Sequence, residues 1–136
     1  MSNEAEVYFC LSGDDFDPNE VTSYLDLRPT ESKRKGDAGR YNSKLEFSYW
    51  KFSSGKKTDD IIDVYEMASR LVAQLSPATE RIIEISAKYK LTACLQVVLT
   101  ITTNQTKSTP AIGFDEAVIK FLSAVGASID VDTYRD

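Results

Sequence analysis

Carboxylates carry the first chemical suggestion in this chain. Asp14, Asp15 and Asp17 crowd behind Gly13, and Asp130 and Asp132 alternate near the other end. Brought together, such groups hold a hard cation or serve as the acid and base of a hydrolase. The spacing argues against a calcium loop. That loop needs acidic ligands at alternate positions over about twelve residues and a closing glutamate. Here Phe16 intervenes and no glutamate falls at the closing position. Asp17 has a simpler use: it precedes Pro18, and Glu20 completes the pattern of a capping box. A metal-dependent hydrolase on Asp14, Asp15, Asp130 and Asp132 therefore ranks last among the functions considered. No catalytic residue, metal or cofactor is assigned.

Histidine is absent, which removes Ser-His and Cys-His nucleophile pairs and most zinc and iron sites. Cys10 and Cys94 lie far apart in sequence and form no CxxC pair. Nothing near either one in sequence lowers a thiol pKa, so both are read as small packing residues, reduced in a cytoplasmic protein. Lys33, Arg34 and Lys35, with Arg28, concentrate positive charge. They lack the GxxxxGK pattern and open no helix, so the stretch reads as a charged loop rather than a phosphate cradle. The net charge of −5 disfavours nucleic acid and anionic membrane as partners, and favours a basic protein. No secretory signal is expected, and no apolar run reaches the roughly 20 residues that span a bilayer.

The elements that position these groups follow from hydrophobic periodicity. With 136 residues, 42% of them hydrophobic, the chain is expected to form one domain over residues 1–136, with 1–5 frayed and 28–41 a charged loop. Glu6 to Ser12 alternates as a strand, with Val7, Phe9 and Leu11 on one face and Tyr8, Cys10 and Ser12 on the other. A helix capped by Asp17 runs from Pro18 to about Leu25, with Phe16 and Val21 placed as a hydrophobic staple. Leu45 to Phe52 is an aromatic-rich strand. Thr58 is read as the cap of a second helix, and Ser76-Pro77 as the start of a third, which reaches Lys90. Leu91 to Thr103 alternates as a half-buried strand, typical of an antiparallel sheet with one open face. Thr109 to Phe114 is a short edge strand, Asp115 caps a last helix to Val125, and Ala127 to Tyr134 closes the series. The expected fold is α+β: a mostly antiparallel sheet with helices packed on one face, in the order β-α-β-α-α-β-β-α-β. Phe16-Asp17 and Phe114-Asp115 start their helices alike. Either a decayed internal duplication or one helix-start chemistry used twice accounts for that.

The helix-free face is the candidate site. By strand parity it takes Tyr8, Cys10, Trp50, Phe52, Cys94, Gln96, Val98 and Tyr134, with Asp130 and Asp132 on the same side of the last strand. Aromatics mixed with small polar groups suit a recognition surface. The partner-binding set is thus Tyr8, Trp50, Phe52, Gln96, Asp130, Asp132, Tyr134, Asp14 and Asp15. The competing readings are that the charged loop covers this face or that it pairs with itself in a homodimer.

A series of short motifs runs the length of the chain: Leu11-Ser12-Gly13-Asp14-Asp15-Phe16-Asp17-Pro18, Leu27-Arg28-Pro29-Thr30, Lys35-Gly36-Asp37, Trp50, Pro110-Ala111-Ile112 and Ile129-Asp130-Val131-Asp132-Thr133-Tyr134. In this order they resemble the small bacterial domain-of-unknown-function family numbered forty-two seventy-nine. The resemblance supports the fold more than any function, since it brings no established catalytic activity to carry over. The function expected from the residues is a non-catalytic cytosolic binding protein, of the kind in which an immunity protein neutralises a basic toxin domain through a protein–protein interface. A homo-oligomeric structural or regulatory domain is the alternative, ahead of the metal-dependent hydrolase.

Overall fold

A computed structural model describes residues 2–136. Its longest strand, β1 (Asn3–Gly13), lies inside a six-stranded sheet. The other elements are α1 (Pro18–Leu25), β2 (Glu31–Lys33), β3 (Ser48–Ser53), β4 (Lys57–Asp59), α2 (Val64–Leu75), α3 (Thr79–Tyr89), β5 (Thr92–Ile101), α4 (Glu116–Val125) and β6 (Ser128–Arg135). The strand order is β2-β3-β1-β5-β6, with β4 also paired to β1. Among the named strands only β5 and β6 run parallel, and α4 makes the crossover that a parallel pair requires. The expected α+β class, with a mostly antiparallel sheet and its helices on one face, is what the chain adopts.

The core follows from alternation along β1. Ala5, Val7, Phe9 and Leu11 point at the helices and are buried with Leu95, Val97 and Leu99 of β5. The helices answer with Val21 and Leu25 of α1, Leu71 and Leu75 of α2, Ile82 of α3, and Phe121 and Leu122 of α4. Phe9 meets Phe121 edge to face, with centroids 5.6 Å apart, a favoured aromatic geometry.

Residues 3–5, expected to fray, are instead strand. Met1 lies outside the described residues. Asn3 is fully buried. Its side-chain amide donates to the Ser108 carbonyl at 2.8 Å, and its Oδ1 accepts from the Thr102 amide at 2.9 Å. One short side chain thereby ties the start of β1 to the segment that follows β5. Charge in the 28–41 stretch likewise hides order: residues 31–33 form β2, which extends the sheet edge beside β3, and Lys33 Nζ donates to the Ala38 carbonyl at 3.1 Å.

Residues 57–59 do not open a helix. They pair with residues 3–5 of β1, and α2 begins after Asp63. Between β3 and β4, Ser54, Gly55 and Lys56 stand opposite Glu6 and Val7, so one strand carries an extra residue, a bulge. Ser54 maintains the ladder there: its amide donates to the Val7 carbonyl at 2.8 Å and its hydroxyl accepts from the Val7 amide at 3.1 Å. Gly55 turns the chain with a φ of 82°, a conformation that costs glycine least. The short strand expected over 109–114 is reduced to a bridge, in which Ala111 exchanges backbone hydrogen bonds with Ile62 and Val64.

The similar helix starts do not produce a structural repeat. The strand that follows α1 and pairs with β1 does so antiparallel, whereas β6, after α4, pairs with β5 parallel.

Candidate functional site

The central residues of the helix-free face, Tyr8, Cys10, Cys94, Gln96 and Val98, are part exposed, and cross-strand register orders the face into rows. Glu31, Lys51, Cys10, Cys94 and Ser128 form one row across β2, β3, β1, β5 and β6. Ser53, Tyr8, Gln96 and Asp130 form the next, and Glu6, Val98 and Asp132 the one beyond. Directly opposed residues share a face and touch. Tyr8, Gln96, Asp130 and Asp132 therefore lie side by side on this face, and Tyr134, opposite Thr100, lies one row further along.

Trp50 and Phe52 do not. Trp50 pairs with Leu11 and Phe52 with Phe9, which puts both on the helix side. Trp50 is 0% exposed, its indole N–H donates to Thr22 Oγ1 of α1 at 3.0 Å, and its ring lies 6.0 Å from that of Phe52. The open-face positions of β3 are Tyr49, Lys51 and Ser53. Parity failed here because Phe47, Tyr49, Trp50 and Phe52 make both faces of this strand aromatic, leaving no contrast to read.

Asp14 and Asp15 also leave the site. Asp15 pairs with Arg34 at 3.1 Å and Asp14 with Lys35 at 3.5 Å, so they anchor the basic turn beside the end of β1. They stand about 20 Å along β1 from the row that carries Asp130. Asp14, Asp15, Asp130 and Asp132 do not converge, and among the described residues no group of three or more His, Cys, Asp or Glu is placed to hold a metal ion. Asp17 caps α1 as expected, accepting from the Asn19 amide at 3.0 Å. Glu20 does not complete a capping box; it accepts from the Tyr89 hydroxyl of α3 instead.

The centre of the open face is a polar cluster. Lys51 Nζ lies 3.3 Å from Glu6 Oε2 and 4.2 Å from the centre of the Tyr8 ring, so one ammonium serves an ion pair and a cation–π contact. Ser53 donates to the same Glu6 oxygen at 2.6 Å. Gln96 donates to Asp132 at 3.1 Å, across the β5–β6 ladder. Tyr49 donates to Glu31. Burial, and then the neighbouring Cys10 thiol and Glu6 carboxylate, push the Tyr8 phenol above its ordinary pKa. Burial and the Glu31 contact do the same for Tyr49. These phenols stay protonated donors at neutral pH. The arrangement offers hydrogen-bond donors, acceptors and aromatic edges together on one face of the sheet.

One feature went unread in the sequence. Residues 36–45 form a finger held by backbone hydrogen bonds between Gly36 and Leu45 and between Asp37 and Leu45. At its tip Tyr41 is 96% exposed with a left-handed φ of 55°, unusual for a bulky side chain. Gly36, Gly39 and Asn42 around Tyr41 were the available signal of a tight tip.

Among the described residues no helix is long and apolar enough to cross a membrane. Compared with known proteins, residues 3–136 match one family model, described as a domain of unknown function, DUF4279. No curated protein and no solved structure matches the chain.

Proposed function

We propose that this chain, which belongs to the DUF4279 family, is a non-catalytic binding protein that meets a protein partner on the open face of its sheet. The observation that carries the reading is the polar and aromatic cluster of Tyr8, Lys51, Gln96 and Asp132, held in place on the helix-free face of the sheet. Such a surface loses little side-chain freedom on binding, which favours affinity. Glu4, Glu6, Asp130 and Asp132 of β1 and β6 outnumber Lys51 and Lys56, which pair with Glu6 and Glu4, and the whole chain carries −5. A partner with a basic surface is the complement. The narrower form of this reading is an immunity protein that occludes the active site of a basic toxin, in the cytoplasm of a bacterium.

The test is titration calorimetry with the purified product of the adjacent gene. A one-to-one complex that weakens with salt and is lost on joint substitution Asp130→Lys and Asp132→Lys is expected. No binding to that product would count against the immunity role. A complex indifferent to both substitutions and to Tyr8→Ala would place the interface elsewhere.

A further inference from the structure

We propose that Cys10 and Cys94 form a modification site: a pair of facing thiols that closes to a cross-strand disulfide by exchange with a low-molecular-weight disulfide of the glutathione class. The two residues are direct partners in the β1–β5 ladder, and both are free thiols, part exposed on the open face. Val7 turns its backbone groups toward Ser54, on the β3–β4 side. Neighbouring residues of a strand alternate in this respect, so Cys10 turns its own toward Cys94. A hydrogen-bonded antiparallel pair sets Cα atoms about 5.5 Å apart. Disulfides cluster at about 5.5–6 Å between Cα atoms and need Cβ atoms about 3.5–4.5 Å apart, slightly closer than such a pair rests. The thiols are therefore within reach of one another without being pressed together, and a small closure joins them.

Their surroundings suit reaction better than packing. The row that holds them is flanked by Lys51 and by the exposed Ser128, not by apolar side chains. Cys10 is enclosed between Lys51 and Cys94, and burial pushes its thiol up to about 11. Cys94 lies on the other side of the pair, part exposed and next to the exposed Ser128 of the edge strand β6. The first attack falls to Cys94. It loses its proton to water, and its sulfur bonds to one sulfur of the incoming disulfide; the bond between the reagent's sulfurs breaks and one small thiolate departs, taking up a proton. Cys10, deprotonated in turn, then attacks the Cys94 sulfur. The mixed disulfide breaks, and the second small thiol leaves. The protein is oxidised by two electrons, and the small disulfide is reduced to two thiols.

The inference concerns the free chain and stands apart from the binding reading above. The folded protein is incubated with oxidised glutathione, and its thiols, intact mass and unreduced peptides are measured. The expected result is a monomer that loses both titratable thiols and two hydrogens of mass, yields a Cys10–Cys94 linked peptide, and recovers both thiols in dithiothreitol. Cys10→Ser is expected to stop at a mixed disulfide on Cys94. Persistence of both thiols, a stable mixed disulfide in the unsubstituted chain, or disulfides only between chains would overturn the proposal. If Cys10→Ser does not fold, the mass and peptide map of the unsubstituted protein still decide.

Discussion

Trp50 and Tyr8 lie on adjacent strands and face opposite ways. Trp50 fills the core under α1 and spends its one polar atom on Thr22; Tyr8 lies half-buried under Lys51 on the open side. The same truncation therefore has different consequences. Trp50→Ala is expected to lower stability by about 3–5 kcal/mol, the range for emptying a large core site. Tyr8→Ala is expected to lower it by less than about 1 kcal/mol, as at most surface positions. Urea unfolding followed by circular dichroism measures both. Equal losses would mean that the face assignment of β3 is wrong. Local chemistry was legible where a residue acts on its near neighbours: Asp17 and Asp115 both cap as their sequence context indicates. It was not legible where the partner is remote. Nothing near Glu20 announces Tyr89, nothing near Asp15 announces Arg34, and nothing near Asn3 announces Ser108.

At the level of elements, β6 is one edge of the sheet, with β2 at the other. Its helix-side residues Ile129 and Val131 remain 40% and 38% exposed, and its outer backbone groups have no strand beside them. Such an edge invites pairing with another chain. Asp130 and Asp132 oppose that, because two copies meeting edge to edge would set carboxylates against carboxylates. Joint substitution Asp130→Thr and Asp132→Thr is expected to shift the protein toward dimers, read by light scattering over a concentration series. An unchanged mass across that series would show that these charges do not guard the edge. Elements with strong alternation, β1 and β5, were readable because each buries one face. The start of α2 was misplaced because Thr58, Asp59 and Asp60 imitate a helix cap. Pairing of residues 57–59 with 3–5 of β1 overrides that local preference, as tertiary contacts commonly do.

Across the whole molecule, acid sensitivity follows from carboxylates that fold into partnerships. Lys107 and then Ser2 hold the Asp60 carboxyl below its ordinary value of 3.8. The Thr103 amide foremost does the same for Asp136. A carboxyl depressed by folding contributes stability above its unfolded value, and that contribution disappears as pH falls through the lower folded one. Stability is therefore expected to be level near neutrality and to decline below about pH 4. Lys107→Met should remove part of that decline and return the Asp60 carboxyl toward 3.8, as read by carboxyl NMR; an unmoved Asp60 would dissociate it from Lys107.

The interior position of β1 has a further consequence, in time rather than space. β1 precedes its ladder partners in the sequence, and β5 follows it only after the helices α1, α2 and α3. At roughly 5–20 residues per second of synthesis, on the order of 5–20 s separate the emergence of the two strands. Through that interval Val7, Phe9 and Leu11 leave the ribosome with no β5 to pair against. Those apolar side chains gain their β5 partners only when the Leu95 strand arrives, so the sheet cannot close before most of the chain has been made.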